Sequence, residues 1–354
     1  MTEGLPHISV IIPTRNRASS LKITLECLQS ADRAGICADV VVVDNAGTDN
    51  TREVVESFRL GLPVRYLHEP VLGTYGKSYA LNRALDASGL GDIIAVLDDD
   101  ISPDPNWFQA VTAICQRWPD KDIFTGHVYV VWPSGEVPEW ARSPRVQRLV
   151  LSASSFGPSD AEMRGGQWYA GGHFWFRSRA LQHGPRFKDC WLTEPNFQLD
   201  LFERGFGGVA SPEARAGHRV QPELLERKMA LSRARSTGMQ VGALRLQPYR
   251  TRVKQARLMH AHPLLGRLFC QMNRLRWQCL FAASYLYPTQ ALRFERRLIA
   301  AESIATYSEI IRTARRLPEY SLRKRIRSEA ANSSLLMSPV AGTSSQGKQC
   351  CPDH

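Results

Sequence analysis

Three adjacent carboxylates, Asp98-Asp99-Asp100, end the apolar run Ile93–Leu97. Like charges this close repel one another and are tolerated together where a cation compensates. A hard divalent ion, Mg²⁺ or Mn²⁺, fits such a donor set, held by one or two carboxylates and a substrate diphosphate. The alternative is a solvated acidic turn or helix cap that runs on into Pro103 and Asp104. Polar groups recur where other apolar runs end. Pro13-Thr14-Arg15-Asn16-Arg17 offers hydroxyl, amide and guanidinium donors. Asp44-Asn45 offers a carboxylate and an amide, and Gly73-Thr74-Tyr75-Gly76-Lys77 offers close backbone approach and a charge. Together these suit a nucleotide diphosphate, with one carboxylate for the base and others for a metal. Each tip also has a purely structural reading: Thr14, Asn45 and Thr48 as helix caps, Asp44 as a turn residue. The glycines do not form GxGxxG, which disfavours a dinucleotide oxidoreductase.

The intervening pattern says how these tips are brought together. His7–Thr14, Asp39–Val43, Val64–Leu67 and Ile93–Leu97 read as strands, the first of them buried. Ser19–Ser30, Thr48–Phe58 and Lys77–Ala87 read as helices between them. Short strands alternating with helices of about ten residues imply βαβ units, and so an α/β fold with a mostly parallel sheet. In such sheets ligands bind beyond the carboxyl ends of the strands, where the tips collect. Further on, Asp104–Arg117 reads as a helix and Ile123–Trp132 as a strand with one exposed face. Residues 133–167 read as a long loop or lid, Trp168–Arg177 as a strand, and Leu199–Phe206 as a helix. From Pro222 the pattern is helical and basic, and residues 332–354 read as a disordered tail.

Composition rules out some classes and divides the chain. The 354 residues are 43% hydrophobic and 22% charged, the balance of a globular protein. The net charge of +11 would suggest a nucleic-acid or anionic-surface binder. It is unevenly placed, however: residues 1–220 hold 22 Lys and Arg against 26 Asp and Glu, and residues 221–354 hold 23 against 8. No recognised nucleic-acid module accompanies the basic part, so nucleic acid is not an expected partner. The eight cysteines form no CxxC pair or zinc spacing, which fits a reducing compartment. Neither a secretory signal nor a membrane-spanning run is evident, so a cytoplasmic protein is expected, with the inner membrane face as a peripheral location.

The segments ISVIIPTRNR, VVVVDNAGTDNT, GKSYALNRAL and VLDDDISPDPNWF together resemble the N-terminal half of family 2 glycosyltransferases. GGHFWFRSRAL, TEPNFQLDLFERGF and Gly217-His218-Arg219-Val220 continue the resemblance in order over about residues 7–240. It implies a GT-A, Rossmann-like mostly parallel sheet flanked by helices, and metal-dependent, inverting transfer of a sugar from a nucleotide-diphosphate donor to a hydroxyl acceptor. Glycan, polysaccharide or glycolipid synthesis would be the setting, with a glycan or lipid-linked acceptor. Asp44 resembles the base-reading carboxylate, with Pro13, Thr14, Arg15, Arg17 and Asn45 beside it and Gly76, Lys77 and Asp99 completing the donor site. Asp98 and Asp100 resemble the DxD pair, and His218 matches a late histidine that completes the metal or diphosphate site. Relatives usually carry Glu-Asp before the leucine-rich helix. Here the pair is Glu194-Pro195, so the base is Glu194, or Asp200 if the alignment slips. Glu194 has a second reading as a helix cap. The absent second acid also keeps open a non-catalytic nucleotide-sugar-binding or membrane-docking protein on the same fold.

Trp168, Tyr169 and His173 beside Gly171-Gly172 are expected either to line the acceptor pocket or to pack in a core strand. The resulting division is a catalytic domain over 1–245, with a nucleotide half 1–132 and an acceptor half 133–245. A basic helical extension over 246–331 and the tail follow. In the extension Leu268, Met272, Leu275, Cys279, Ala282 and Leu286 form one helical apolar face. It is expected to pack on the catalytic domain with a solvated basic exterior. Residues 252–327 offer a second reading, contact with an anionic membrane surface.

Overall fold

The computed structural model describes residues 6–74, 76–163, 172–182, 184–190, 192–245 and 263–314. The expectations on Trp168, Tyr169 and the 332–354 tail, and on parts of the 246–331 extension, lie outside them.

The first half alternates as expected. Strands β1 (His7–Thr14), β2 (Cys37–Asn45), β3 (Val64–Glu69) and β4 (Ile93–Leu97) alternate with helices α1 (Ala18–Ser30), α2 (Thr51–Ser57) and α3 (Ser78–Leu85). The four strands pair in parallel in the order β3-β2-β1-β4. Alternate side chains of a strand face opposite sides of its sheet. Thus Ile8, Val10 and Ile12 pack with Leu21 and Leu25 of α1 on one face. Ile11, Val41 and Val43 pack with Ala80 and Leu81 of α3 on the other. Burial on both faces is why these strands read as continuous apolar runs.

The sheet continues through β8 (His173–Arg177), β6 (Ile123–Val131), β9 (Gly208–Arg219) and β5 (Ile101–Pro103), with β7 (Ala161–Met163) on β9. Strand β8 is antiparallel to β4 and β6, while β6 and β9 are parallel. Helix α4 (Trp107–Arg117) covers the α1 face, and α6 (Thr193–Glu203) the α3 face.

Four expectations are corrected. Strand β6 has no exposed face over Ile123–Gly126, because Phe124 packs in the core on one side of the sheet and Ile123 in the core on the other. The 133–167 segment is not a featureless loop. It holds a short 3₁₀ turn at Glu139–Arg142, helix α5 (Pro144–Val150) and β7. Its Trp140, Val146 and Val150 build a third core with Ala230, Ala234, Phe294 and Leu298. Helix α6 begins at Thr193 rather than Leu199, since a proline in the first turn breaks no helical hydrogen bond. Strand β9 was not expected at all: its sequence is rich in small and polar residues, and pairing on both edges decides its conformation.

Helices α7 (Arg227–Arg245), α8 (Pro263–Ala283) and α9 (Gln290–Ala314) follow. Packing crosses residue 245, because α7 lies along α9. Glycine is required there: a Cβ on Gly238 would sit 2.1 Å from the Glu302 carbonyl oxygen, and one on Gly242 2.5 Å from that of Thr306. The face of α8 expected to pack does not. Leu268, Met272, Leu275, Cys279, Ala282 and Leu286 are exposed. The buried contact with α9 is instead made by Cys270 against Ile310 and Ile311 on the opposite side of α8.

Candidate active site

The parallel strands carry the predicted tips to one edge of the sheet. Thr14 pairs in register with Asp44, and β4 ends one residue before Asp98. The Asp98 amide donates to the Gly172 carbonyl at 3.1 Å. A Cβ on Gly172 would lie 2.5 Å from Asp98 Oδ2, so a glycine is needed for this approach. Strand β9 brings His218 opposite Ile101, which places it beside the acidic triplet despite the long separation in sequence.

The three acids face three ways. Asp98 is paired with the ammonium of Lys77, at the start of α3. Asp99 points inward, where the Thr14 hydroxyl donates to Oδ2 at 2.7 Å and Arg17 Nη1 to Oδ1 at 2.6 Å. Burial pushes its carboxyl up to about 6, against the opposing pull of Arg17. Asp100 accepts from Arg17 Nη2 at 2.9 Å and faces His218 Nε2 at 3.5 Å. Burial would raise its pKa, but His218 and Arg17 outweigh that and hold the carboxyl well below the usual range. For His218 burial acts downward, and the Asp100 carboxylate raises the imidazole above its ordinary value.

Glu194 sits in the first turn of α6, buried, with Oε1 2.5 Å from Lys77 Nζ. Its carboxylate therefore goes to Lys77, and α6 has no side-chain cap hydrogen bond at its N-cap. Burial works against the charge on Lys77, and Asp98 and Glu194 more than offset it and raise the ammonium's pKa.

Two adjoining cavities meet at these groups. One, about 540 Å³, is bordered by Pro13, Thr14, Arg15, Arg17, Asn45 and Gly76. The other, about 740 Å³, is bordered by Asp100, His173, His218 and segments of α5 and α7. Arg17, Lys77, Asp98 and Glu194 border both.

Some expected site residues are set back from this junction. Asp44 is buried and borders neither cavity; its Oδ1 accepts from the Gly47 amide and its Oδ2 from the Tyr66 hydroxyl, each at 2.9 Å. Burial and that contact push Tyr66 up to about 12. The Asn45 amide donates to Val71 O at 2.7 Å and so braces the loop that precedes Lys77. Asp200 borders neither cavity and pairs with Arg204 on its own helix at 3.1 Å. His173 borders the larger cavity, but its residue is 1% exposed. Trp107 Nε1 donates to its Nε2 at 2.8 Å, which fixes the proton on Nδ1, and Trp107 and Trp175 enclose the ring.

Sequence reasoning missed Arg148, Ser152 and Ser154 around α5 and Arg233, Thr237 and Gln240 on α7, all on the wall of the larger cavity. One signal for α5 was present: Ser143-Pro144 followed by Val146 and Val150 is a helix start with a four-residue apolar step. Nothing local marks α7 as a cavity wall.

Among the described residues no group of three or more His, Cys, Asp or Glu is placed to hold a metal ion. Asp100 and His218 are nevertheless suited to a two-point hold. His218 Nδ1 lies 2.8 Å from the Leu151 carbonyl, which marks it as the donor and directs Nε2 at Asp100, where a metal would take the place of the Nε2 proton. Two protein groups suffice for Mg²⁺ or Mn²⁺ when substrate phosphates complete the shell.

Residues 9–183 match the model of glycosyl transferase family 2. The validoxylamine A glucosyltransferase of Streptomyces hygroscopicus subsp. jinggangensis is 33% identical over 138 residues, 39% of this chain and 32% of that protein. Glycosyltransferase AglE of Haloferax volcanii is 32% identical over 139 residues, 38% of this chain and 43% of that one. The matched part thus spans less than half the length of either relative. Among solved structures, a mannosyltransferase from Pyrobaculum calidifontis in complex with GDP-Man and Mn²⁺ aligns at a TM-score of 0.47 and 17% identity, covering 93% of this chain and 81% of that one. On the family match and these sequence relatives, residues 9–183 belong to glycosyl transferase family 2.

Proposed function

We propose that this chain transfers a sugar from a nucleotide-diphosphate donor to a hydroxyl acceptor, with metal dependence and inversion at the anomeric carbon. The observation that carries the reading is the meeting of Lys77, Asp98 and Glu194 on the boundary of two cavities. A transferase needs one compartment for donor and one for acceptor, with a base and a charge-neutralising group between them. The smaller cavity, with Arg15, Arg17 and Lys77 on its wall, takes the donor diphosphate. The larger takes the acceptor, a glycan or lipid-linked hydroxyl, with Arg148, Arg233 and the serines near α5 to orient it.

Asp100 and His218, on the larger cavity where it meets the smaller one at Asp98 and Arg17, would hold the Mn²⁺ or Mg²⁺. When bound, that ion supplies neutralisation of the charge that grows on the departing diphosphate. Lys77 has a double task. Its ammonium binds Asp98 and Glu194. An entering diphosphate competes for that ammonium and frees Glu194 to accept the proton of the attacking hydroxyl. Direct attack on the face opposite the leaving group inverts the configuration. Asp99 accepts from Thr14 and Arg17 and borders the donor cavity, where it holds those two groups in place.

The test is release of nucleoside diphosphate from a panel of nucleotide sugars by the full chain with Mn²⁺, with the product anomer read by NMR. The expected result is metal-dependent turnover that Asp100→Ala abolishes; unchanged turnover in that variant overturns the reading. A second reading, binding without turnover, is supported by Pro195 standing where the family resemblance implies an acid. Saturable donor binding with no product from any acceptor would favour it.

A further inference from the structure

The outward face of α8 is apolar where a solvent-facing helix is normally polar. Leu265, Leu268, Phe269, Met272, Leu275 and Cys279 recur at three- and four-residue steps, and all are exposed, Met272 by 61%. The stripe continues past the helix end into Tyr285 and Leu286, the latter 86% exposed. A contiguous exposed apolar strip of this kind marks an interaction surface.

Charge says what kind. Residues 227–294 contain 13 Lys and Arg and no Asp or Glu. On α8, Arg276 is exposed within the apolar face, while Arg267 and Arg274 lie toward its buried side. Just beyond the helix, Arg297 stacks over the rings of Phe281 and Tyr285, and Arg296 over Tyr287. Aromatic side chains and arginines at one level beside a leucine-rich face form the pattern of an interfacial helix. A second copy of the chain would bring like charge against like, which disfavours self-association through this face. No helix among the described residues is long and apolar enough to cross a membrane, so α8 is suited to lie on a bilayer rather than through it.

We propose that α8 is a peripheral docking surface for a bilayer containing anionic lipid, inserting its leucine and methionine face between headgroups that its arginines neutralise. The inference is independent of the reaction, because α8 borders neither catalytic cavity. Helix α9 joins it to α7, whose inner side walls the acceptor cavity. Docking would thus hold the cleft near acceptors at a membrane surface.

The experiment is co-sedimentation of the full chain with vesicles of phosphatidylcholine alone and of phosphatidylcholine with phosphatidylglycerol at two to one. Sedimentation with the anionic vesicles alone, weakened by salt, is expected. The triple variant Leu268→Glu, Met272→Glu, Leu275→Glu should remain in the supernatant with an unchanged melting temperature. Arg276→Gln should bind about fivefold more weakly, and reads the same contact should the triple variant unfold. Wild-type protein left in the supernatant with both vesicles overturns the proposal. So does equal sedimentation of the triple variant, or a concentration-dependent dimer that the triple variant splits while neither binds vesicles.

Discussion

Lys77 Nζ lies 2.5 Å from Glu194 Oε1 and also binds the Asp98 carboxylate, so one ammonium links the end of β4 to the first turn of α6. The two residues are far apart in sequence and are joined only across the cleft. Removing the cation would leave two carboxylates facing each other without it. Lys77→Met should therefore lower stability by about 1–3 kcal/mol and weaken donor binding about tenfold or more. Urea unfolding and donor titration read the two effects separately. Unaltered donor affinity would remove the diphosphate contact from the mechanism.

Glu194 and Asp200 lie on the same helix, but only Glu194 borders the cleft. Glu194→Gln should reduce kcat by about 10²–10⁴-fold, the usual worth of a general base, with donor KM nearly unchanged. Asp200→Asn should change kcat by less than about threefold, since it loses an intrahelical pair worth about 0.5 kcal/mol. Initial rates on both variants decide the assignment, and the reverse ranking would move the base to Asp200.

His218 and Asp100 are expected to set the metal requirement together. His218→Ala should raise the Mn²⁺ concentration for half-maximal activity by about 10–100-fold, a loss typical of groups that hold or orient a metal. His218→Gln should recover part of this through a side-chain oxygen. Rates over a Mn²⁺ series give the answer; an unshifted curve in His218→Ala would leave this histidine a structural role.

Two buried groups should give the metal-free protein opposed pH dependences. Burial lowers His173 from 6.5 to about 4, so the unfolded chain binds its proton first as pH falls. Its contribution is complete above pH 6.5 and lost toward pH 4, by up to about 3 kcal/mol. Burial raises Asp99 from 3.8 to about 6, so the folded protein keeps a proton that the unfolded chain releases. Stability from this group falls as pH rises between those values, by a similar amount of about 3 kcal/mol. His173→Gln should therefore expose a decline in stability from pH 4 to 6, and Asp99→Asn a rise. Urea midpoints across that range test both; curves parallel to wild type would contradict the assignment.

Gly238→Ala sets helix propensity against packing. Alanine favours a helix over glycine by about 1 kcal/mol. The added Cβ would meet the Glu302 carbonyl oxygen at 2.1 Å, a clash with backbone that cannot swing away. Overpacking of this kind costs about 1–3 kcal/mol, so net destabilisation is expected in urea unfolding. A stabilised variant would mean that α7 and α9 sit further apart.

The β-branched runs of the first hundred residues, and the polar residues that end them, specified the parallel strands and the acidic edge. Strand periodicity and strand-end position are local properties, and strands buried on both faces leave little choice of register. Composition and spacing alone left Asp98, Asp99 and Asp100 as three adjacent carboxylates, and only the family resemblance singled out Asp98 and Asp100. Tertiary structure decided that Asp98 goes to Lys77, Asp99 inward to Thr14, and Asp100 to His218. It also placed Glu194, and not Asp200, on the cleft wall, built β9 from residues with no strand signal, and turned the apolar side of α8 outward. Each of these depends on contacts between residues distant in sequence. Local propensity carries no record of them, because the energies that select a side chain's direction arise only when its partners arrive.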